Sequence, residues 1–366
     1  MKILFISYGI YEYDGRLREL LSVSEAVGET YAVMLTTQCD DTPTRRFIHV
    51  AKENLLKAET YLTFIRECIN AANKIKEPYI LFADNFFAAI PALLLHIFNK
   101  PLYIIQDVRE LYYPEEIKSP FGRLFCRNEI RLMKIADVAL CANDCRADIM
   151  LTKYKLKKRP IVYENIRFLN DKYNNRLLDE KYKNMFDGKI NIVSTGGLFL
   201  ARGADKLVSA MSGLPDDYKM FILGGGTPAD TKAVNNIIMK NKLESRVIIL
   251  PKVPLGELRY VLTRCDIGIV HYHKRDDNNR YCASGKIYEY LAEGIPIVTT
   301  ENEPLADFCA ANPVGVADDT FKDGIMTVAN DLDGFKARVR AYIKDISPEK
   351  NNAKCALEIK RRLKID

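Results

Sequence analysis

Lys286 and Glu289 stand three residues apart in the stretch Asn279–Val298, NRYCASGKIYEYLAEGIPIV. On a helix that spacing puts both side chains on one face. Ser284 is a good N-cap, so a helix is expected to open at Gly285. Ile287 and Leu291, with Tyr288, form its apolar stripe; Gly294 ends it, and Pro296 follows where a helix cannot continue. Ile295, Ile297, Val298 and Thr299 then read as a short buried strand. A lysine beside free N–H groups, at the positive end of a helix dipole, makes an anion site. A carboxylate one turn further in is placed to hold a pair of sugar hydroxyls. With Ser284 as N-cap the N3 position falls on Ile287, so a capping box does not account for Glu289. The same two residues would also suit an exposed ion pair on a surface helix.

The stretch resembles the donor-site signature of the retaining GT-B glycosyltransferases of family four, S-x-K-[hydrophobic]-[aromatic]-E-Y-[LM]-A-x-G-x-P-[IV]-V. The match runs over Ser284, Lys286, Glu289, Tyr290, Leu291, Ala292, Gly294, Pro296 and Val298. The resemblance implies that Glu289 contacts the ribose of a nucleotide sugar, and that Lys286 and the helix start at Gly285 face its diphosphate. Many members carry a second glutamate eight positions earlier; here that position is Tyr281. The usual contact to the donor sugar's hydroxyls therefore lacks its carboxylate.

Other phrases extend the resemblance. Thr195–Gly203, TGGLFLARG, follows a strand, and its paired glycines Gly196 and Gly197 let backbone come close to a ligand. It is similar to G-R-L-x-x-x-K-G, with Arg202 at the lysine used on the diphosphate and Gly197 at the first arginine. Gly225, in Gly224–Gly226, resembles the glycine step beside the donor, or is part of a plain loop. Val253 lies where family members offer backbone groups to the base. His271, at the end of a strand, is expected to line the donor pocket. His271 and His273 project to one side, but zinc needs more ligands than these, and none stands at a recognised spacing, so no metal site is expected.

In the first half, Asp14-Gly15-Arg16-Leu17-Arg18-Glu19 resembles the phrase that opens the first helix in many of these enzymes; the residues equally suit a helix capped by Asp14. Gly15 joins the expected donor-binding set. Asp107-Val108-Arg109-Glu110-Leu111-Tyr112 resembles D-x-H-E-L-Y on the acceptor side, which gives Asp14, Asp107, Arg109 and Glu110 as acceptor-side residues. Arg109 replaces the histidine, and an arginine cannot serve as a base at neutral pH. Arg202, Lys286 and Glu289 are the expected catalytic set.

The elements that must position these residues alternate strand and helix. Lys2–Ser7 is a strand, Arg16–Val27 a helix and Thr30–Thr36 a strand, a βαβ start with a parallel sheet. No G-x-G-x-x-G follows the first strand, which disfavours a dinucleotide dehydrogenase. A polar stretch, Arg167–Gly188, separates these strands from a second series that begins at Ile190.

The chain's 366 residues suggest two domains. Apolar content of 48% and charged content of 28% are ordinary for a globular protein. No apolar run reaches about 18 residues, so no transmembrane helix is expected, and Met1–Ser7 lacks the features of a signal peptide. Nine scattered cysteines without C-x-x-C suggest a reducing compartment. A net charge of +6 does not by itself imply nucleic acid. The run Lys153–Arg159, KYKLKKR, and the basic amphipathic segment Lys118–Lys134 suit an anionic membrane surface.

The expected fold is α/β: the GT-B arrangement of two Rossmann-like domains facing a cleft, with the C-terminal helix crossing back to the N-terminal domain. Residues 1–168 form the expected acceptor domain, completed by about 348–366; residues 169–188 are the linker and 189–347 the nucleotide-sugar domain. The expected function is metal-independent, retaining transfer of a sugar from a nucleotide-diphosphate sugar to a glycan or lipid-linked acceptor in bacterial surface polysaccharide synthesis. The nucleotide sugar is a co-substrate and no cofactor is expected. A cytoplasmic location with peripheral attachment to the inner face of the cell membrane is the matching expectation. A GT-B epimerase or hydrolase, and a non-catalytic GT-B binding protein, remain the alternatives.

Overall fold

The computed structural model describes residues 1–51, 54–55 and 57–365. The chain divides into unit 1, Met1–Asn165 with Pro348–Asp366, and unit 2, Ile166–Ser347.

Among the described residues unit 1 contains seven strands: β1 (Lys2–Ile10), β2 (Glu29–Thr36), β3 (Arg45–His49), β4 (Tyr79–Asp84), β5 (Tyr103–Asp107), β6 (Val138–Cys141) and β7 (Ile161–Val162). They pair in parallel in the order β3-β2-β1-β4-β5-β6-β7. Strands such as KILFIS and YILFAD are apolar on both faces because helices cover both sides of the sheet. One face packs Ile3, Phe5 and Leu17 against Cys355, Ala356, Ile359 and Leu363 of the C-terminal helix Pro348–Leu363. The other packs Leu4, Ile6 and Leu81 against Phe64 and Leu95. Register places Ser7 beside Asp84 and Asp84 beside Asp107. Three polar residues thus meet in one row where these strands end.

Unit 2 contains β8 (Ile190–Thr195), β9 (Tyr218–Leu223), β10 (Val247–Leu250), β11 (Ile267–Val270), β12 (Ile297–Thr299) and β13 (Gly315–Ala317). All pair in parallel, in the order β10-β9-β8-β11-β12-β13. The polar stretch 169–188 carries a helix, Asn175–Lys181. Tyr182, just after it, is buried and stacks on Tyr260 at 5.7 Å, which holds this stretch on unit 2.

Candidate active site

In unit 2 the chain leaves β8 towards β9 on one side, and later returns to β11 on the other. The ends of β8 and β11 are therefore the topological switch point, where open α/β sheets form their ligand crevice. The Thr195–Gly203 turn and the His271–Arg275 loop both start there.

The helix Lys286–Ala292 is fixed to this edge by Tyr290. The Tyr290 hydroxyl accepts the Thr195 N–H at 2.9 Å and lies 2.9 Å from Thr195 Oγ1. Its ring covers Gly268 of β11, where a Cβ would strike it. Gly294 (φ 78°) turns the chain out of the helix, with its N–H on the Leu291 carbonyl and that of Ile295 on the Tyr290 carbonyl, each at 3.0 Å. The helix start differs from expectation. Gly285, not Ser284, is the capping residue, and no side chain accepts from the first turn. Ser284 is buried, and its hydroxyl has no hydrogen-bond partner among the described residues.

Lys286 lies against Gly196. Gly196 has φ 111°, and a Cβ there would fall on the lysine ammonium. Burial pushes the Lys286 pKa down to about 8; the charge of Arg202 adds to the shift and Glu289 opposes it. Arg202 ends a tight turn, Leu200–Arg202, and Gly203 (φ 90°) reverses the chain into the next helix. The Arg202 guanidinium sits 5.5 Å from the Phe199 ring and donates from Nη1 to the Gly196 carbonyl at 3.5 Å. His271 is buried, and its Nδ1 lies 2.8 Å from the Arg202 carbonyl. A carbonyl only accepts, so Nδ1 carries the proton. Burial, with Lys286 nearby, lowers the His271 pKa to about 4, so the imidazole is neutral.

Glu289 is buried, not exposed, and accepts from Arg167 Nε at 2.6 Å. Gly225 has open space where a Cβ would be. Its neighbour Gly224 (φ 121°) packs so closely that a Cβ would lie 2.8 Å from the Gly197 nitrogen. Val253 is partly buried against the cluster holding Ile287 and Tyr288. Unit 2 thus brings Arg202, Lys286, Gly196 and His271 together, with Glu289 one turn along. Arg167 was not read from the sequence; its partner lies 122 residues away and no local signal marks the pair.

Gly15 lies in unit 1, at the first position of the helix Gly15–Val27, with Asp14 capping it through Leu17 N–H at 3.0 Å. Asp107 is fully buried, and both its oxygens are taken by Arg16, at 2.5 and 2.9 Å. It offers no free oxygen to an acceptor and instead fixes Arg16. Arg109 grips Asp84 through Nε (2.7 Å) and Nη2 (2.5 Å), and reaches Asp14 through Nη1 at 2.5 Å. Ser7 also donates to Asp84, at 2.6 Å. Glu110 is half exposed and lies 3.7 Å from Arg146. Of the four acceptor-side expectations, Glu110 alone keeps an exposed carboxylate.

Among the described residues no group of three or more His, Cys, Asp or Glu side chains could hold a metal ion. His273 is separate from His271: its Nδ1 accepts the Arg275 N–H at 3.2 Å.

Residues 189–345 match the family model of glycosyl transferases group 1. No curated protein matches the chain. Among solved structures, sucrose-phosphate synthase from Thermosynechococcus elongatus superposes with a TM-score of 0.70 at 15% identity, covering 98% of this chain and 97% of that one. HepE from Anabaena, in complex with UDP and glucose, gives 0.73 at 14% identity, covering 99% and 100%. WaaG, a glycosyltransferase involved in lipopolysaccharide biosynthesis, gives 0.67 at 16% identity, covering 97% and 98%. The fold is that of the GT-B glycosyltransferases.

Proposed function

We propose that this glycosyltransferase of the GT-B fold transfers a sugar from a nucleotide-diphosphate sugar to a glycan or lipid-linked acceptor, with retention of configuration and without a metal ion. The observation that carries the reading is the pair of cations, Lys286 and Arg202, converging on Gly196 at the switch point of unit 2. A leaving diphosphate gains negative charge as the glycosidic bond breaks. Fixed cations that need no reorganisation stabilise that charge where it develops. Glu289, held by Arg167, is oriented to accept from a pair of ribose hydroxyls. His271, neutral, keeps its Nε2 lone pair. HepE, solved with UDP and glucose, and WaaG, with its place in lipopolysaccharide biosynthesis, support a nucleotide-sugar donor and a bacterial surface glycan as product.

The basic segment of unit 1 supports a membrane-borne acceptor. The helix Pro120–Ile135 exposes Phe121, Leu124 and Ile135 together with Arg123, Arg127, Arg131 and Lys134. Tyr154 donates to the Tyr112 carbonyl at 2.8 Å, and Cys126 to the same carbonyl at 3.4 Å, which sets the run after Tyr154 beside this helix. Among the described residues no helix is long and apolar enough to cross a membrane. Peripheral attachment to anionic lipid fits these features.

A thermal-shift screen with UDP-, GDP-, ADP- and CMP-linked sugars tests the donor reading. A ligand at 100 times its dissociation constant stabilises by about 2.7 kcal/mol. Turnover with the donor so found should survive chelator, and the product should keep the donor's anomeric configuration. Inversion, or restoration of activity by manganese after chelation, would sink the mechanism. Epimerised or hydrolysed sugar from donor alone would favour an epimerase or hydrolase.

A further inference from the structure

Beside the two cations of unit 2 lies a cavity of about 340 Å³, lined by Arg202, Lys206, Lys274 and Arg275 with Asp205 and Asp319. Ligand pockets begin at about 300 Å³, so there is room for a sugar ring. The charges do not cancel. Lys274 is 2.6 Å from Asp319, and Asp319 also accepts the Glu301 N–H at 2.8 Å, so this pair satisfies itself. No ion pair among the described residues holds Arg202, Lys206 or Arg275, and Asp205 is the only other carboxylate on the wall.

The cationic loop is built, not loose. Tyr272 N–H donates to Thr300 Oγ1 at 3.1 Å, and Thr300 Oγ1 donates to Asn302 Oδ1 at 2.7 Å. Asn302, fully buried, donates to the carbonyls of His273 (3.2 Å) and Asn279 (2.8 Å). Asp276, next to Arg275, points back to its own turn, accepting the Asn279 N–H at 2.9 Å, and does not line the cavity.

We infer that this cavity receives the sugar ring of the donor, and that the ring carries its own carboxylate. Arg202 joins the cavity to the diphosphate site; a diphosphate is flanked by nucleoside and sugar, and neither Glu289 nor Val253, the ribose and base positions of the donor reading, lines the cavity, which leaves it to the sugar. Once a diphosphate engages Arg202, Lys206 and Arg275 remain as cations for a further anion. The inference rests on the donor reading of Arg202 and Lys286.

Calorimetry on the full chain with UDP, UDP-glucose and UDP-glucuronic acid, and with GDP, GDP-mannose and GDP-mannuronic acid, tests it. A charge-assisted hydrogen bond should make the uronic acid member bind about tenfold tighter than its neutral partner. The difference should shrink with added salt. In a Lys206→Gln/Arg275→Gln double variant the ratio should fall to near one. A nucleotide that binds without any uronic acid preference, or a preference untouched by the double variant, overturns this inference and spares the donor reading. If neither nucleotide series binds at all, this inference falls, and the ADP- and CMP-linked arms of the thermal-shift screen decide the donor reading separately.

Discussion

Arg167 Nε donates to Glu289 Oε1 across 2.6 Å, so the buried carboxylate is oriented before any ligand arrives. Arg167→Leu leaves that carboxylate buried without its partner, which typically costs about 1–3 kcal/mol. Nucleoside affinity should fall about tenfold or more, and Glu289→Ala should weaken nucleoside and nucleoside diphosphate alike. Lys286→Ala should instead weaken the diphosphate selectively and slow turnover by roughly a hundredfold to a thousandfold. Calorimetry with nucleoside and nucleoside diphosphate on each variant checks this. Equal losses for both ligands in Lys286→Ala would contradict the assignment.

The Lys286 pKa of about 8, down from 10.5, gives the site a pH signature. In that window the unfolded chain holds a proton on this lysine that the folded chain has released. Stability from this group therefore rises with pH between the two values. Diphosphate binding runs the other way, because it needs the ammonium: affinity should be full below about pH 8 and decline above it. Dissociation constants measured from about pH 7 to pH 10 should show the decline in wild type and not in Lys286→Arg. His271, with its pKa near 4, should contribute no titration in that range.

Arg109 pairs with two carboxylates at once, Asp84 and Asp14. Arg109→Met strands Asp84, which is fully buried, and frees Asp14. Breaking a buried pair in this way costs about 3–5 kcal/mol. The urea midpoint should fall sharply, and Arg109→Met with Asp84→Asn should lose less than the sum of the two single changes. Additive losses would show that the two groups do not act as a pair.

Membrane attachment should depend on Lys155, Lys157 and Lys158. Arg159 is already occupied, with Asp148 at 2.6 Å and Asp144 at 2.7 Å. Lys153 lies over the Tyr113 ring, at 2.9 Å. Each free basic residue near an anionic bilayer contributes about 1 kcal/mol. Co-sedimentation with phosphatidylserine vesicles should fall at about 1 M salt and on neutralising these three lysines. Binding indifferent to both would exclude this surface.

The buried strands were legible because both faces of KILFIS and YILFAD are apolar. The helix Lys286–Ala292 was legible from the glycine and proline that close it. Its cap was misread: Ser284 has the right chemistry, but its hydroxyl is buried without a partner among the described residues. The short edge strands Arg45–His49 and Gly315–Ala317 carry too few residues to show a period. Long-range pairs are the deeper limit. Asp107 reads as a free carboxylate until the fold brings Arg16 to it, across 91 residues of sequence. Glu289 reads equally as a ribose contact or as half of an exposed pair with Lys286 until the fold brings Arg167 to it and buries it.

The C-terminal helix has a consequence for synthesis. Asn352 accepts from the Tyr163 hydroxyl and donates to Glu19, each at 2.6 Å, and Ile359 and Leu363 complete the core that Ile3 and Phe5 begin. A ribosome makes residues 348–366 only after all of residues 166–347. At about 5–20 residues per second that is a delay of roughly 10–40 s. Unit 2, a single continuous stretch, has its whole core in hand first. Unit 1 must wait with the apolar face over Leu17 and Phe5 uncovered until the helix Pro348–Leu363 has left the ribosome and packed on it.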